Sequence, residues 1–318
     1  MILMIRMIRM SLVSFVVSWT ALASAQTNPL WTEKKVKNYL PHMSWPEVEA
    51  LAERTDMVII PVGSLEQHGP QLPIGTDALN GIERAKLIAQ KTDVLVAPIL
   101  LPGNSPYHME FAGTITLSLE TIQAVYVEAA ASLMKHGFTR FLILNAHGGN
   151  RVVSRFIADR INHETAGIAV ELGEAAGPFM APRASTQLAP RPFDRHGGVG
   201  ETSNALYLIP ELVELEKSEL AKLSIPEHLQ AMIPSILEGD ETALRVFLAE
   251  ALKAESTGKG TTARDMSTTG VWSLRNPNEA TVERGRGAAE RFVDAAVAFI
   301  ERWNELRPPG LGRDARPR

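Results

Sequence analysis

Short apolar runs rich in β-branched residues alternate along the chain with longer stretches of helical periodicity. Four of these runs are typical of buried strands, and they cover residues 57–62, 94–100, 141–144 and 168–172. Between the second and third runs, apolar residues recur at helical spacing over 119–136, with Ser118 placed to cap the start and Gly137 the end. The alternation predicts an α/β fold of three layers, in which helices cover both faces of a doubly wound, mostly parallel sheet.

The second half of the chain departs from this alternation. Two helical stretches are predicted over 211–223 and 241–254, and a polar loop follows over 256–262. We interpret this helical excursion, residues 210–264, either as a lid or oligomer contact or as a surface insertion. A last amphipathic helix is predicted over 279–303, and its apolar face belongs to the core through Ala288, Phe292, Ala296, Phe299 and Trp303.

The two ends of the chain are expected to lie outside the fold. Arg6 and Arg9 precede an apolar run over 11–22, and Ala23-Ser24-Ala25 then forms a small-x-small cleavage site, the pattern of a secretory signal peptide over residues 1–25. The run is shorter than the roughly 18 residues that a membrane span needs. We expect one domain over 26–306, a disordered tail over 307–318, and a periplasmic or extracellular location.

Composition narrows the chemistry that the chain can carry. There are 32 basic and 36 acidic residues, a net charge of −4, and no strongly basic run. This balance argues against nucleic acid as a partner. We also expect the protein to contact no membrane once the signal peptide is cleaved. Because the chain has no cysteine, a metal ion would have to be held by histidine and carboxylate side chains.

The first candidate site follows the strand predicted over 57–62. Glu66 and His68 stand two residues apart in an extended segment, so their side chains are expected to point the same way. Glycines and prolines over 69–75 then turn the chain and could return Asp77 beside them. Two carboxylates and an imidazole that converge in this way would bind zinc or a harder divalent ion. An equally weighted alternative is a solvated strand end, with Asp77 as the N-cap of the next helix.

Two further segments carry candidate ligands. His147 leaves the third strand and enters a Gly148-Gly149 turn, at the place where open α/β sheets bind their ligands. A phosphate-binding loop is the competing interpretation, but such a loop uses main-chain amides rather than imidazole. In the segment 196–203, His196 precedes Glu201, which lies in the first turn of a predicted helix. A carboxylate is favoured there by the helix dipole alone, so Glu201 could be structural.

These motifs together resemble the creatininase (creatinine amidohydrolase) family. The likeness runs in order over residues 58–298. The matching segments are Gly63-Ser64-Leu65-Glu66-Gln67-His68-Gly69-Pro70 through Asp77, Gly103-x-Ser105-x-x-His108, Phe111-x-Gly113-Thr114, Asn145-x-His147-Gly148-Gly149-Asn150, His196-Gly197 with Glu201-Thr202-Ser203, and Gly270-Val271 with Pro277, Ala280-Thr281 and Glu283-x-Gly285.

The resemblance implies a pair of divalent ions, zinc, manganese or iron, bridged by an aspartate and a water. Carried over by position, Asp77 would bridge the ions, Glu66 and His147 would hold one of them, and His68 the other. The family's further glutamate, two residues after the strand-end histidine, is Gly149 here, so Glu201 is expected to replace it. By the same likeness, Ser105 and His108 would contact the substrate and His196 would be the acid–base residue.

The resemblance therefore implies a metal-dependent amidohydrolase that hydrolyses a non-peptide C–N bond of a small polar amide with a metal-bridging hydroxide. Creatinine is a less favoured substrate, because an aromatic residue follows the strand-end histidine in creatininases proper and Gly148 follows it here. The double-Gly form is similar to branches of the family that act on formamides, small peptides or sugar-like rings. The family also implies a homo-oligomer. The alternative is a non-catalytic periplasmic metal- or ligand-binding protein of the same fold.

Overall fold

The computed structural model of the chain describes residues 27–99, 101–180, 193–251 and 262–310. The expected signal peptide, most of the polar loop at 256–262 and most of the expected tail lie outside the described residues. Within the described part, no helix combines the length and the apolar character that crossing a bilayer would require.

A parallel sheet of four strands in the order β2-β1-β3-β4 forms the centre of the molecule. Its strands are β1 (Met57–Val62), β2 (Leu95–Val96), β3 (Arg140–Asn145) and β4 (Ile168–Glu171). The prediction of a strand over 94–100 was too long, because β2 is an edge strand that pairs with β1 only through Leu95 and Val96. The apolar run there also reflects burial of Val94 and Ala97, and the contact with β1 ends where Ala97 N donates to the Ile59 carbonyl at 3.0 Å.

Side chains of the central strands alternate between two cores, as a three-layer fold requires. In β3, Phe141 and Ile143 pack in the core beneath helices α3 (Leu119–Met134) and α4 (Arg151–Glu164). Leu142 and Leu144 pack on the opposite face. That face is covered by α2 (Thr76–Lys91), α5 (Leu172–Ala176) and α11 (Val282–Leu306), while α1 (Trp45–Ala52) joins the first core. The predicted fold class is confirmed.

Helix ends follow the expected signals where a cap is present. The Ser118 side chain accepts a hydrogen bond from Thr121 N at the start of α3, and Gly137 follows the helix with φ of +97°. The last helix begins three residues later than the prediction, because Pro277–Glu279 forms a short turn and Thr281 supplies the N-cap. In its core-facing row, Ala296 is fully buried, with Phe292, Phe299 and Trp303 partly buried against the same core.

The helical excursion builds a small second core beside the main one. Its helices are α7 (Glu227–Gln230), α8 (Ile233–Glu238), α9 (Glu241–Ala251) and α10 (Ala263–Met266), preceded along the chain by α6 (Val199–Leu208). The helix predicted over 211–223 is wrong: Pro210–Leu212 and Leu215–Lys217 form separate 3-10 turns. Leu212 and Leu220 stay exposed, so a helix there would bury no apolar face, and such burial stabilises most helices in proteins.

An antiparallel pair of short strands links this second core to the main domain. Strand β5 (Asp194–His196) pairs with β6 (Trp272–Ser273), with His196 opposite Trp272. Phe193 and Trp272 pack against Phe247 of the excursion, with ring centroids 5.5–6.3 Å apart. The excursion therefore holds the strand that ends at His196.

We expect Asp56→Ala to destabilise the fold by about 3–5 kcal/mol, the usual effect of removing one partner of a buried ion pair. Arg140 in β3 is fully buried; its Nε donates to Asp56 Oδ1 at 2.6 Å, and its Nη1 donates to the carbonyl of Arg307 after α11. Without Asp56 the guanidinium keeps its burial but loses its carboxylate. Urea unfolding measures the effect, and Asp56→Ala with Arg140→Leu is the matched control. A single variant as stable as that double variant would contradict the prediction.

Candidate metal centre

The candidate ligands of the two central strands meet at one edge of the sheet. Strands β1 and β3 are parallel neighbours with Val62 opposite Asn145, so both carboxyl ends open on the same side. Glu66 and His68 follow β1, and His147 follows β3. The Glu66 Oε1 atom lies 3.9 Å from His68 Nε2 and 3.3 Å from His147 Nδ1. These three side chains therefore converge beyond the ends of the strands.

The turn over residues 69–75 returns Asp77 to this group. Glu66 N donates to the Ile74 carbonyl at 3.0 Å, which closes the turn, and α2 then starts with Gly75 as its N-cap. Asp77 is therefore not the cap of α2, and the alternative that made it one is wrong. Its Oδ1 lies 3.2 Å from His68 Nε2, and its Oδ2 lies 2.9 Å from His147 Nδ1. The two carboxylate oxygens thus face two different histidines.

Two sets of candidate metal ligands share Glu66. Among the described residues, Glu66, Asp77 and His147 form one set, and Glu66, His68 and His196 form the other, with donor atoms within 4.8 Å of one another in each set. His196 arrives from β5, far from the other ligands in sequence. Its Nδ1 lies 3.7 Å from Glu66 Oε1.

The outer nitrogens of three histidines lie against main-chain carbonyl oxygens. The distances are 3.1 Å from His68 Nδ1 to Glu66 O, 3.0 Å from His147 Nε2 to Asn104 O, and 2.6 Å from His196 Nε2 to Gln67 O. A carbonyl oxygen only accepts hydrogen bonds, so each outer nitrogen carries a proton. The inner nitrogen of each ring then faces the carboxylates. Metal-binding histidines usually have this outer hydrogen bond.

The centre of the site fits a divalent cation. The inner nitrogens of His68 and His147 face carboxylate oxygens at about 3 Å, a contact that needs a proton or a metal ion between the two atoms. The Glu66 Oε2 atom is buried without a hydrogen-bond partner among the described residues. Histidine nitrogens and carboxylate oxygens in this number are ligands for zinc, manganese or iron. The residues present therefore fit the metal that the sequence predicts.

The charges around the site shift the pKa values of His68 and Glu66 in opposite directions. Burial by itself lowers the pKa of His68, but the charge and hydrogen bond of Asp77 and the charges of Glu201 and Glu66 outweigh it and raise the pKa to about 10. For Glu66 the directions are reversed: burial by itself raises the pKa, but His147 and His108 outweigh burial and lower that pKa to about 2. A metal ion that enters would displace protons from the histidines, as metal binding generally does.

His108 and His196 differ from the other two histidines, because they are held neutral. Their rings stack with centroids 4.3 Å apart, and His196 lies at the same distance from His68. Burial, followed by the nearby charges of His68 and His147, lowers the pKa of His108 to about 4. Burial and the neighbouring histidines also hold the pKa of His196 well below its usual value. Both rings can therefore exchange hydrogen bonds as neutral imidazoles.

Ser105 is buried beside the candidate ligand His147. Its side chain is fully buried, and its Oγ lies 3.3 Å from His147 Nε2. His108, three residues later, directs Nε2 at Glu66 Oε1 across 3.7 Å. The structure thus brings both predicted substrate-contact residues to the candidate site, and their contact with a substrate stays a prediction.

Glu201 has two sets of contacts. Its Oε2 accepts a hydrogen bond at 2.6 Å from Gly197 N, just before the N-cap residue Gly198 of α6. The same oxygen lies 3.8 Å from His68 Nε2 and 3.9 Å from His196 Nδ1. Removal from water, together with the charges of Asp77 and Glu66, raises the pKa of Glu201 to about 7, although 37 % of its side chain is exposed. Glu201 thus has a structural hydrogen bond to Gly197 N, and its position also suits a metal ligand beside His68.

We expect Glu201→Gln to retain the fold and to lose one of two bound metal ions on dialysis against a chelator. A glutamine can still accept from Gly197 N, whereas the second ion loses an anionic ligand. Elemental analysis after dialysis measures the loss. Glu120→Gln, in the first turn of α3, is the matched control because it changes a helix-start carboxylate away from the site. If Glu201→Gln kept both ions and lost only about 0.3–1 kcal/mol of stability, Glu201 would be a helix cap alone.

Gly149 has no room for a side chain. A Cβ atom there would lie 2.3 Å from Asn104 O and 2.4 Å from His147 Nε2, far inside contact distance. These are the two atoms that form the outer hydrogen bond of His147. A glutamate at 149 would therefore break the arrangement of His147, which explains why this position cannot supply a ligand in this backbone.

Some contributors to the site were not predicted. Gln67, between two candidate ligands, contacts His108 and His196, and Asn104 supplies the carbonyl that binds His147. Ser64 donates from its Oγ to Asp77 Oδ2 at 3.0 Å. Gln67 and Ser64 stand inside the motif that carries Glu66 and His68, which was the available signal. Asn104 had no such signal, because its contribution is a main-chain atom.

Comparison with known proteins places the chain in a family. Residues 41–300 match the family model described as creatininase, creatinine amidohydrolase, so the chain belongs to the creatininase family. A mycofactocin precursor peptide peptidase of Mycolicibacterium smegmatis is 30 % identical over 259 residues, which cover 79 % of this chain and 87 % of the relative. A creatinine amidohydrolase of Pseudomonas putida is 31 % identical over 202 residues, 56 % of this chain and 75 % of that enzyme.

The fold is likewise shared with solved structures. A mutant creatininase of the Zn-Zn type superposes with a TM-score of 0.63 at 23 % identity, covering 86 % of this chain and 99 % of the other. The two relatives of known sequence are hydrolases by name. The family and the α/β architecture expected from the sequence are confirmed.

Proposed function

We propose that the protein is a metal-dependent amidohydrolase that cleaves a C–N bond of a small polar amide at a centre of two divalent ions. The observation that carries the proposal is the position of Asp77: its two carboxylate oxygens lie 3.2 Å and 2.9 Å from the inner nitrogens of His68 and His147. An aspartate between two histidines in this way is suited to bridge two ions.

The proposed ligand sets follow from these contacts. Glu66, Asp77 and His147 would hold one ion. His68 and Asp77 would hold the other, with Glu201 as its further oxygen ligand. A bound pair of divalent ions supplies Lewis-acid chemistry, because it lowers the pKa of a water molecule towards neutrality and polarises an amide carbonyl. The name of the Zn-Zn creatininase variant supports zinc as the first metal to test.

His196 is the proposed proton-transfer residue. Its Nε2–H is bound to the Gln67 carbonyl, so Nδ1 is free to accept a proton on the side of the candidate ligands. A base held in one tautomer and one orientation is the arrangement that general acid–base catalysis requires. From that position His196 can take a proton at the metal centre and deliver it to the leaving nitrogen of the amide.

We favour linear amides or formamides over creatinine as substrates. Gly148 follows His147 where creatininases proper carry an aromatic residue. Phe193, near His196, packs into the second core rather than towards the ligands. The peptidase relative covers more of this chain than the creatinine amidohydrolase does, which supports a substrate other than creatinine.

Activity screening with metals added back one at a time tests the proposal. The chelator-treated protein is incubated with zinc, manganese or iron(II) and a panel of formamides, cyclic ureas, creatinine and short peptides. We expect metal-dependent release of amine from at least one amide. Tight binding of two metal ions without turnover of any panel member would favour the alternative, a non-catalytic binding protein.

We further propose that the protein acts outside the cytoplasm, on the strength of the leader pattern over residues 1–25. Expression of the full chain in a bacterium, followed by cell fractionation and N-terminal sequencing, checks this. The expected product starts at Gln26 and is found in the periplasm or the medium. An uncleaved cytoplasmic product would contradict the proposed location.

A further inference from the structure

One buried amide, that of Gln67, lies between two of the stacked histidines. Its Nε2 is 2.8 Å from His108 Nδ1 and 3.1 Å from His196 Nε2. The same nitrogen is 3.1 Å from the Gly270 carbonyl, and Oε1 accepts from Gly69 N at 3.0 Å. Gln67 is thus in hydrogen-bond range of both neutral rings, although it was assigned no role from the sequence.

Two main-chain groups determine which way the Gln67 amide points. Gly69 N can only donate, so the atom facing it must be the oxygen. The Gly270 carbonyl can only accept, so the atom facing it must be the nitrogen. A flipped amide would place oxygen against oxygen and N–H against N–H. The orientation therefore follows from the backbone on each side and not from the histidines.

This orientation determines the tautomer of His108. The Gln67 nitrogen carries two hydrogens, one for the Gly270 carbonyl and one for His108 Nδ1 at 2.8 Å. His108 Nδ1 is consequently the acceptor and carries no proton, so the proton of the ring is on Nε2. That Nε2–H faces the candidate metal centre, 3.7 Å from Glu66 Oε1. His108 therefore offers a hydrogen-bond donor to a molecule bound at that centre.

The main-chain carbonyl of Gln67 determines the tautomer of His196. His196 Nε2 lies 2.6 Å from the Gln67 carbonyl oxygen and must carry a proton to donate there. The 3.1 Å contact between His196 Nε2 and the Gln67 side-chain nitrogen is then a meeting of two donors and not a hydrogen bond. His196 Nδ1 faces the candidate ligands at 3.7 Å from Glu66 Oε1 and 3.9 Å from Glu201 Oε2. Neither carboxylate is within hydrogen-bond distance to hold a proton on Nδ1, so Nδ1 is the acceptor of the ring.

Gly270 permits this arrangement by its lack of a side chain. Its φ of +84° lies in the left-handed region that favours glycine, and a Cβ atom there would lie 1.9 Å from Gln67 Oε1. The close approach lets the Gly270 carbonyl take one hydrogen of the amide. Two elements that are distant in sequence thus combine to orient Gln67.

We propose that Gln67 is a positioning residue that gives His108 and His196 opposite hydrogen-bonding roles at the reacting amide. His108 donates its Nε2–H to the carbonyl oxygen of the substrate, while His196 keeps Nδ1 free to accept a proton. The roles at the substrate rest on the proposed amidohydrolase function; the tautomers rest on the geometry alone. The stacked rings, with an angle of 26° between their planes, place donor and acceptor side by side.

The tautomers can be read directly in the zinc-loaded, substrate-free protein. Long-range ¹H–¹⁵N NMR of the chain with ¹⁵N-labelled histidine separates protonated from unprotonated ring nitrogens. The chain has 8 histidines, so the signals of His108 and His196 are assigned from single His→Gln variants. We expect both rings to carry the proton on Nε2. A His108 ring protonated on Nδ1 would overturn the proposal without any variant of Gln67.

Two substitutions of Gln67 test its causal role. Gln67→Glu replaces the donor by an acceptor, and we expect His108 to move its proton to Nδ1 and turnover to fall by about 10–100-fold, the usual range for loss of an outer hydrogen bond. Gln67→Met removes the donor without adding charge, and we expect His108 to become a mixture of both tautomers. It also serves if the glutamate variant does not fold.

Gln71→Met is the matched control for the tautomer measurement. Gln71 is a second buried glutamine of the same turn; its Nε2 donates to the Gly197 carbonyl at 2.7 Å, and among the described residues it forms no hydrogen bond to a histidine ring. We expect His108 to keep its Nε2 proton in this variant. A change of tautomer as large as in Gln67→Met, or none in either Gln67 variant, would overturn the positioning role.

Failure of this proposal and failure of the proposed function give different results. If wild-type protein shows the expected tautomers but hydrolyses no amide, the function is wrong, and with it the donation by His108 to a substrate carbonyl. If the protein hydrolyses an amide and the tautomers differ from the expectation, the role of Gln67 alone is wrong. If turnover falls in Gln67→Glu while the tautomer of His108 is unchanged, Gln67 acts by another route and the proposal fails.

Discussion

We expect Asp77→Ala to abolish amide hydrolysis and to remove at least one of the two metal ions. The two oxygens of Asp77 are directed at His68 and His147, so both proposed ligand sets lose an anionic member at once. The loss of turnover should exceed the roughly 10–100-fold that removal of an outer hydrogen-bond partner of a metal ligand causes. The histidines would also lose the carboxylate that holds them in place.

Elemental analysis of the purified variant, together with turnover of the best substrate from the panel, measures both effects. Asp93→Ala is a matched control, because Asp93 pairs with Lys37 before β2, at the opposite ends of the strands from the site. The control should keep two ions and wild-type turnover. Two ions per chain in Asp77→Ala would contradict the bridging assignment, whatever the turnover.

The second large effect is expected for His196→Ala, which should lower turnover by about 10²–10⁴-fold, the usual contribution of a general acid–base residue. Metal content should stay near that of the wild type, because the proposed ligand sets do not include His196. The expected loss of turnover follows from the position of the ring: Nδ1 of His196 is free, 3.7 Å from Glu66 Oε1, and Nε2 donates to the Gln67 carbonyl.

Metal content and turnover of His196→Ala must be measured on the same preparation. Because His196 also belongs to a set with Glu66 and His68, the competing outcome is a parallel loss of metal and activity. That result would make His196 a ligand of the second ion and end its assignment as the proton-transfer residue. His163→Ala, at the end of α4, serves as the control for loss of an imidazole outside the site.

Most of the main sheet could be predicted from the sequence, because its central strands β1 and β3 are buried on both faces and read as apolar runs. Strand β1 matches its prediction residue for residue. Strand β2 was predicted too long, since an apolar run reports burial whether or not the main chain pairs. The helix over 211–223 was wrong for the related reason that helical spacing does not show whether a core is available to cover the apolar face.

The site residues that directly follow strands of the sheet could be predicted, and those that other contacts position could not. Glu66, His68 and His147 follow the carboxyl ends of neighbouring parallel strands, and a general rule brings such residues together. No rule brings His196 there, because it depends on an antiparallel pairing with Trp272 and on packing of the second core. The role of Gln67 depends on main-chain atoms of Gly69 and Gly270, which side-chain spacing cannot reveal.

Anomalous X-ray diffraction from crystals of the protein loaded with zinc tests the proposed centre most directly. We expect two zinc peaks per chain, on either side of Asp77, one beside Glu66 and His147 and the other beside His68. Asp77 should contact both ions, one through each carboxylate oxygen. A single peak held by one ligand set, or two peaks with Asp77 bound to only one of them, would contradict the two-metal centre.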